Sequence, residues 1–311
     1  MGIPFCPTRC AYCSFVSSAT SRSGGMVEPY LQALIREIQG VGRMLASSGL
    51  RARTLYIGGG TPTTLSAPQL DRLMGELADH IDLSGCTEYT VEAGRPDTIT
   101  AEKLAVLARR GCSRVSVNPQ TMQDAVLERM GRAHRADDIL RAYALARESG
   151  IGCINMDLIA GLPGDSAEGF RASLEQVLDL GPENVTVHTL ALKKGSRLME
   201  EGGALPSGEE TARMLDFSRD TLRGAGYLPY YLYRQKYMSG SFENVGWCRP
   251  GAESLYNICM MEELHTVLSL GAGGVTKFVE NGVVRRMANP KYPQEYLRTI
   301  DTIRAEKAAW V

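Results

Sequence analysis

The chain has 311 residues, of which 44% are hydrophobic and 22% charged, and its formal net charge is −1. This composition is typical of a globular protein with a sizeable core, arranged as one large domain or two smaller ones. The balanced charge argues against a nucleic-acid partner, and without a signal peptide or a run of 18 apolar residues we expect a cytoplasmic protein with no membrane span.

Strands and helices alternate through the first two thirds of the sequence. Five strands are predicted, in "TLYIGGG", "TEYTVEA", "SRVSVN", "GCINMDLIAGLPGD" and "NVTVHTLAL". Amphipathic helices are predicted at about 30–45, 67–81, 101–111, 136–150 and 167–180. Strands that alternate with helices of this length favour βαβ units and a parallel sheet. No G-x-G-x-x-G motif opens the first unit, which argues against a dinucleotide-binding fold.

The pattern changes after Ser207. A helix is predicted over 209–224, followed by the tyrosine-rich stretch "YLPYYLYRQKYMSG", a glycine turn "GAGG" and a last helix from about Pro293. The sequence therefore predicts two parts, residues 1–206 and a C-terminal extension, residues 207–311.

Polar residues recur near the ends of the predicted strands. "GGGTPT" follows the first strand, and Glu92, Gln120, Asp157 and His188 lie in or after the others, with Asn118 beside Gln120. Each alone is more often a surface, capping or hydrogen-bonded core residue. Because α/β barrels place their chemistry at the carboxyl ends of strands, we expect these residues to share one rim. An acid among apolar neighbours, such as Asp157, also requires a partner when buried.

Three cysteines lie within the eight residues "CPTRCAYC", as Cys6, Cys10 and Cys13 with C-x3-C-x2-C spacing. Structural zinc and ferredoxin-type clusters both need four protein ligands, and no second pair is present. An iron–sulfur cluster held by three thiolates leaves one iron open for a small molecule. The other cysteines are interpreted as small buried apolar residues; they are Cys86, Cys112, Cys153, Cys248 and Cys259.

This cysteine spacing, with Tyr12 before the last cysteine, resembles the signature of the radical S-adenosylmethionine (SAM) superfamily. There the methionine amino and carboxylate groups of SAM bind the unique iron of a [4Fe–4S] cluster. "GGGTP" resembles the glycine motif of the superfamily, where missing side chains let the backbone approach the amino group. A phosphate-binding loop is the alternative, but the lysine that such a loop requires is missing.

The resemblance extends to the oxygen-independent coproporphyrinogen III oxidase (dehydrogenase) family, with its HemN, HemW and HemZ types. It rests on "IPFCPTRCAYCSF", "GGGTPT", "EAGRPDT", "SVNPQ", "RAH" and "NMDLIAGLPG", in this order. The C-terminal "YYLYRQKYMSGSFENVG" and "LGAGGVTKFV" resemble the HemZ type most. The resemblance covers most of the chain and implies an α/β fold, a partial (β/α)6 TIM-like barrel with a C-terminal α+β extension.

The resemblance also implies roles for individual residues. Cys6, Cys10 and Cys13 would ligate the [4Fe–4S] cluster, with Asp157 at the ribose of SAM and Arg132 at a carboxylate. The backbone of Ile159 and Gly161 would lie near the adenine. The implied SAM-binding residues are Gly59, Gly60, Thr61, Glu92, Gln120, Arg132, Asp157, Ile159 and Gly161.

The implied activity is the oxidative decarboxylation of two propionates, which turns coproporphyrinogen III into protoporphyrinogen IX. The reduced cluster cleaves SAM to methionine and a 5′-deoxyadenosyl radical, which takes hydrogen from the substrate; an electron donor and an electron acceptor are needed. The substrate carboxylates call for basic residues, for which the candidates are Lys193, Lys194, Arg234 and Lys236, unless these are solvated surface charges. The stretch 227–237 either walls the tetrapyrrole or forms an edge strand.

The sequence departs from the family in two places. HemN-type enzymes carry a further cysteine where this chain has Phe15, although the HemW and HemZ types also lack it. Only "MGIPF" precedes Cys6, whereas the cysteine loop of the family follows the first barrel strand. We therefore expect that strand to be missing, leaving five barrel strands that begin near Leu55–Ile57.

Two alternative functions remain. One is a haem chaperone of the HemW type, and the other is a radical SAM enzyme that acts on a different substrate. The chaperone motif H-N-x-x-Y-W is absent. After residue 200, His265 is the one histidine that could serve as an axial haem ligand, and the preceding "MMEEL" could place it on a helix.

Overall fold

The computed structural model describes residues 1–14, 18–193, 195–202, 204–234 and 242–309. Its strands are β1 (Gly2–Ile3), β2 (Phe5–Cys6), β3 (Ser18–Ala19), β4 (Thr54–Gly59), β5 (Glu88–Glu92), β6 (Arg114–Ser116), β7 (Cys153–Ala160), β8 (Asn184–Thr189), β9 (Leu228–Tyr233), β10 (Asn244–Cys248), β11 (Val275–Glu280) and β12 (Val283–Ala288). Its helices are α1 (Thr20–Ser47), α2 (Ala67–His80), α3 (Ala101–Arg109), α4 (Asp124–Arg129), α5 (Ala136–Glu148), α6 (Ala167–Leu180), α7 (Arg197–Glu201), α8 (Gly208–Gly224), α9 (Leu255–Glu262) and α10 (Pro293–Ala308).

Eight strands form one sheet in the order β1-β4-β5-β6-β7-β8-β10-β9. The pairs from β1 to β8 are parallel, whereas β10 pairs antiparallel with both β8 and β9. Helices connect the parallel strands, and the β11–β12 hairpin and α10 follow the sheet in the chain. This arrangement confirms the predicted α/β fold class.

The prediction of a missing first barrel strand was wrong. Gly2–Ile3 form β1, which pairs in parallel with Gly58–Gly59 of β4. Gly60 donates its backbone N–H to Ile3 O at 2.8 Å, and Gly2 donates to Leu270 O at 2.8 Å. Two residues are enough for a strand here because backbone partners lie on both sides of them. Among the described residues, the large sheet thus holds six parallel strands.

One face of the parallel strands is apolar and packs in the core, whereas the other carries polar residues, such as Thr90, Ser116 and Asp157, that line a cavity. Their core positions include Ile57, Val91, Val115, Ile154 and Val185, each fully shielded from solvent. The predicted helices after the first four predicted strands are present at α2, α3, α5 and α6.

Several elements escaped prediction. Helix α1 begins at Thr20, ten residues earlier than expected, and carries Pro29 inside it. The short elements α4, α7, α9 and β10 to β12 were not predicted. Helices α4 and α7 are too short to complete the turns that periodicity needs. Strands β10 to β12 are as long as strands that were predicted, so length does not explain why they were missed.

The C-terminal extension is anchored to α1 through Glu37, which is fully buried. Its carboxylate accepts hydrogen bonds from Gly271 N at 2.7 Å, Tyr296 Oη at 2.6 Å and Asn289 Nδ2 at 3.1 Å. It also forms an ion pair with Lys307 of α10, at 2.5 Å between Nζ and Oε1. With four donors, the charge of Glu37 is compensated inside the core.

Candidate active site

The cysteine loop is held at the carboxyl end of the sheet by backbone hydrogen bonds. Thr61 N donates to Phe5 O at 2.8 Å, just before Cys6. On the opposite side, Ala11 N donates to Met130 O at 2.9 Å. The loop is thus tied both to the end of β4 and to the end of α4.

The glycine turn after β4 permits a close approach between β4, β5 and the cysteine loop. A Cβ atom on Gly60 would lie 2.6 Å from Phe5 O and 3.0 Å from Cys6 Sγ. A Cβ on Gly58 would lie 2.8 Å from Glu92 Oε2, and Gly59 has φ of 111°, a conformation that favours glycine. The run of glycines is therefore required by the geometry of this corner.

A cavity of about 410 Å³ opens between the cysteine loop and the strand ends. Its size falls in the range of small-molecule sites, roughly 300–1,000 Å³. The predicted site residues that line it are Cys6, Cys10, Cys13, Gly59, Gly60, Thr61, Glu92, Gln120, Arg132, Asp157 and Ile159. Gly161 is not among the lining residues, since it faces α8, where its N–H donates to Met214 Sδ at 3.3 Å.

Glu92 at the end of β5 is hydrogen-bonded by the hydroxyl of Tyr56. Burial raises the pKa of Glu92 to about 7, against the opposing effect of the Tyr56 hydrogen bond. The nearby charge of Asp157 raises this pKa further. The carboxyl group therefore exchanges a proton near neutral pH.

Asp157 has the partner that its apolar sequence context required. Asn155 Nδ2 donates to Asp157 Oδ1 at 2.8 Å, and His188 Nε2 lies 3.6 Å from Oδ2. Tyr233 Oη lies 3.3 Å from His188 Nδ1 on the other side of the ring. Burial alone would raise the pKa of Asp157, but His188, together with hydrogen bonds from Asn155 and Thr186, more than offsets this and the pKa is lowered. Near pH 7 the cavity thus holds one ionised acid beside one that titrates.

Arg132 lies beneath the cysteine loop and is 5% exposed. It donates to Tyr12 Oη at 2.9 Å, to Gly94 O at 3.0 Å and to Asn118 O at 2.7 Å. Most of its N–H groups are therefore engaged within the protein. The cavity has two further buried arginines, Arg95 and Arg114, which sequence reasoning did not identify.

The basic residues proposed for substrate carboxylates are found in different settings. Lys193 lines the cavity, and burial lowers its pKa. Arg234 is exposed and pairs with Glu243 at 2.6 Å. Lys194 and Lys236 lie outside the described residues.

The tyrosine-rich stretch is both an edge strand and a cavity wall. Strand β9 is the last strand of the sheet, and Tyr230, Tyr231 and Tyr233 line the cavity. Tyr227 is instead a core residue, with its hydroxyl on Pro182 O at 2.5 Å. Tyr237 lies outside the described residues.

His265 does not lie on a helix, as the sequence had suggested. Helix α9 ends at Glu262, and His265 is an exposed residue of the following segment, with Nε2 3.4 Å from Arg53 Nη1. It is not among the residues that line the cysteine cavity.

Two features are absent from the described residues. No helix among them is both long and apolar enough to cross a membrane. No group of three or more His, Cys, Asp or Glu side chains is placed there to hold a single metal ion. An iron–sulfur cluster differs from a single-ion site, because it distributes its thiolate ligands over different iron atoms.

A family profile described as "Radical SAM superfamily" matches residues 2–177, more than half of the sequence. The chain belongs to the radical SAM superfamily. The superfamily implies a [4Fe–4S] cluster and SAM, and the three N-terminal cysteines needed for such a cluster are present.

This radical SAM protein is similar to curated proteins of two kinds. It is 42% identical to the "oxygen-independent coproporphyrinogen-III oxidase-like protein HemZ" of Bacillus subtilis, over all of this chain and 63% of the relative. It is 32% identical to the "heme chaperone HemW" of Lactococcus lactis, over 88% of this chain and 68% of the relative. The higher identity to HemZ agrees with the predicted type, although the chain spans less than two thirds of that protein.

The radical SAM fold is also shared with a solved structure, coproporphyrinogen III oxidase (HemN) from Escherichia coli, described as a radical SAM enzyme. The TM-score is 0.78 at 25% identity, over 97% of this chain and 68% of the other. The match covers the C-terminal hairpin and helix as well as the sheet.

The cavity of this radical SAM protein fits a cluster with SAM in chemical terms. Three thiols face it from one loop, and the glycine turn leaves room beside Cys6. Asn118 also lines it, and its buried Oδ1 atom has no hydrogen-bond partner among the described residues. An orphaned acceptor and a titrating acid, Glu92, suit a ligand that carries amino and hydroxyl donors.

Sequence reasoning missed some site residues of this radical SAM protein. Tyr56 occupies an ordinary strand position, and its contact with Glu92 depends on the pairing of β4 with β5. The "EAGRPDT" string contained Arg95 and Asp97 without indicating that they form an ion pair. Charged residues that directly follow a strand were the available signal for this pair.

Proposed function

We propose that this chain carries the catalytic part of a radical SAM oxidoreductase that converts coproporphyrinogen III to protoporphyrinogen IX. The proposal is carried by one observation, the convergence of the cysteine loop, the acid pair and the tyrosine wall on one cavity. It is supported by the similarity to a HemZ protein named oxidase-like and to a HemN oxidase. The split at residue 206 is part of the proposal, with residues 207–311 contributing to the substrate side.

In this proposal Cys6, Cys10 and Cys13 hold the cluster. The cluster and SAM, when bound, supply the reducing electron and the hydrogen-abstracting radical. Glu92 accepts a hydrogen bond from the amino group of SAM, and Asp157 binds its ribose hydroxyls. Both roles use acids that already face the cavity.

The backbone and the walls of the cavity supply the other roles. Gly59, Gly60 and Thr61 approach SAM through their main chain, and Gln120 and Ile159 line the cavity beside Asp157. Gly161 does not line the cavity, so its part is to shape the turn after β7. Arg132 holds the loop through Tyr12, and its remaining N–H can reach a carboxylate.

The substrate side is formed by the tyrosines of β9 and by two cations that line the cavity. Tyr230, Tyr231 and Tyr233 offer flat apolar faces that suit a tetrapyrrole. Arg114 lines the cavity, and its buried Nε atom has no hydrogen-bond partner among the described residues. Lys193 adds a second cation for a propionate carboxylate.

The test is anaerobic carbon dioxide release from coproporphyrinogen III by the reconstituted protein with SAM and a reductant. We expect release that needs SAM and is lost in Cys10→Ala. Cleavage of SAM without decarboxylation would contradict the proposal that coproporphyrinogen III is the substrate, and it would favour a different radical SAM reaction.

The similarity to HemW supports a second candidate, a haem chaperone. Titration with haem, followed by the Soret band, tests it, with His265→Ala as the variant. Stoichiometric haem binding that is lost in His265→Ala, without decarboxylation, would favour the chaperone. His265 does not line the cysteine cavity, but it lines a second cavity of about 1030 Å³, so the titration decides between the two functions.

A further inference from the structure

A group of four polar side chains contacts the cysteine loop from the side of the sheet. The group, called here the polar network, consists of Arg95, Asp97, His134 and Arg132. Arg95 Nη1 donates toward Cys10 Sγ at 3.6 Å, and it also donates to Thr8 Oγ1 at 3.1 Å. At the other end, Arg132 donates to the Tyr12 hydroxyl at 2.9 Å. Both ends of the network thus touch the loop.

The orientation of Arg95 is fixed by Asp97. Its Nε and Nη2 atoms donate to the two oxygens of Asp97 at 2.9 and 3.0 Å, a bidentate pair. The Arg95 side chain is only 5% exposed. Because the guanidinium is planar, this pairing directs the remaining Nη1 toward Cys10.

The polar network carries a net positive charge. Arg132 Nε donates to His134 Nε2 at 3.3 Å, and His134 Nδ1 lies 3.5 Å from Asp97 Oδ1. Burial lowers the pKa of His134, so its ring is neutral near pH 7. Two guanidinium groups therefore face a single carboxylate, which leaves one uncompensated positive charge beneath the loop.

We propose that the polar network raises the reduction potential of the cluster held by this loop, with Arg95 as the residue that acts on it through Cys10. This inference rests on the proposed function. Reduction adds one electron, and so one negative charge, to the cluster. A fixed positive charge nearby stabilises the reduced form, as does an N–H donor on a ligand sulfur. The electron comes from a one-electron donor, dithionite in the test below.

The experiment is a redox titration of the reconstituted protein with dithionite, followed by the electron paramagnetic resonance signal of the reduced cluster. In Arg95→Gln we expect the reduced-to-oxidised ratio to fall at least tenfold at the potential where the wild type is half reduced. That fall corresponds to about 59 mV for one electron. Asp97→Asn removes the negative charge of the network and keeps one oxygen that accepts a hydrogen bond from Arg95, so the potential of the cluster should rise.

The matched control is Arg109→Gln, which removes an exposed arginine that pairs with Asp71. Its potential should equal that of the wild type. If the reduction potentials of Arg95→Gln and Asp97→Asn both equal that of the wild type, the inference is overturned, and the cluster assignment still stands. A reduction potential that falls in both variants would indicate structural damage to the loop and would also overturn the inference.

Two further outcomes have defined meanings. A wild type that takes up no iron–sulfur cluster would overturn both the cluster assignment and this inference. If Arg95→Gln fails to hold a cluster, the Asp97→Asn variant tests the inference alone. A reduction potential that does not rise in Asp97→Asn would contradict the role of the positive charge.

Discussion

Glu92 and Asp157 lie on neighbouring parts of one rim, but their surroundings shift their pKa values in opposite directions. Glu92 faces a tyrosine hydroxyl in a buried corner, whereas Asp157 is next to His188. Sequence pattern placed both acids at strand ends, but it could not assign their protonation. The protonation of Glu92 depends on its burial, and that of Asp157 depends above all on His188; both are set by packing between strands.

The raised pKa of Glu92 predicts a stability cost. Between its ordinary value of 4.5 and about 7, the folded protein holds a proton that the unfolded chain has released. The unfolding free energy therefore falls as pH rises through this window. In the absence of ligands, Glu92→Gln should be more stable than the wild type at pH 8, by up to about 3 kcal/mol. The difference should vanish toward pH 5, as measured by urea denaturation; a less stable variant at pH 8 would contradict this.

Asp157 predicts a binding effect without loss of the cluster. Asp157→Ala should weaken SAM binding by about 1–3 kcal/mol, the cost of leaving its partner unpaired. Calorimetry on the reconstituted protein gives the affinity, and the visible absorbance should be unchanged. Asp216→Ala, an exposed acid on α8, is the control. Unchanged affinity in Asp157→Ala would argue against its assigned role.

At the scale of elements, the turn after β4 brings the strand end and the cysteine loop into direct contact. The glycine motif in the sequence predicted that the backbone of this turn approaches a cofactor closely. The structure adds a second reason, since Gly60 is packed against Phe5 O and Cys6 Sγ. The two-residue β1, which completes this corner, was not predictable from two residues of sequence.

The corner predicts the behaviour of Gly60→Ala. The new Cβ would displace the backbone at Phe5, so the cysteine loop must shift. We expect a loss of about 1–3 kcal/mol in unfolding free energy and a lower iron content after reconstitution. Gly152→Ala is the control, since a Cβ there meets nothing within 4 Å. Full iron loading in Gly60→Ala would contradict the need for this contact.

Helix α10 depends on the buried pair of Glu37 and Lys307. Lys307→Ala leaves the Glu37 carboxylate buried without its cation, which costs about 3–5 kcal/mol in unfolding free energy. The double variant Glu37→Gln/Lys307→Met should recover much of this loss. Urea denaturation measures both, with the exposed Lys291→Ala as control. A Lys307→Ala variant of wild-type stability would contradict the anchoring role.

For the whole molecule, the sequence was most informative about features that a single strand, helix or loop determines by its own pattern. The parallel sheet and the helices α2, α3, α5 and α6 followed from periodicity, and the cysteine loop followed from its spacing. The β11–β12 hairpin has a local signal, its Asn281-Gly282 turn, which was overlooked. The Glu37 anchor and the polar network instead join distant segments. Such contacts depend on tertiary packing, which no local pattern encodes.

The central claim is that the cysteine loop and the strand-end rim form a single radical SAM site. Reductive cleavage of SAM to methionine and 5′-deoxyadenosine, measured anaerobically after reconstitution, tests it most directly. Cys10→Ala and Cys112→Ala are matched, because both cysteines are buried and only Cys10 lines the cavity. We predict cleavage by the wild type and Cys112→Ala and none by Cys10→Ala. Cleavage that survives in Cys10→Ala, or an iron-loaded wild type that does not cleave SAM, would contradict the claim.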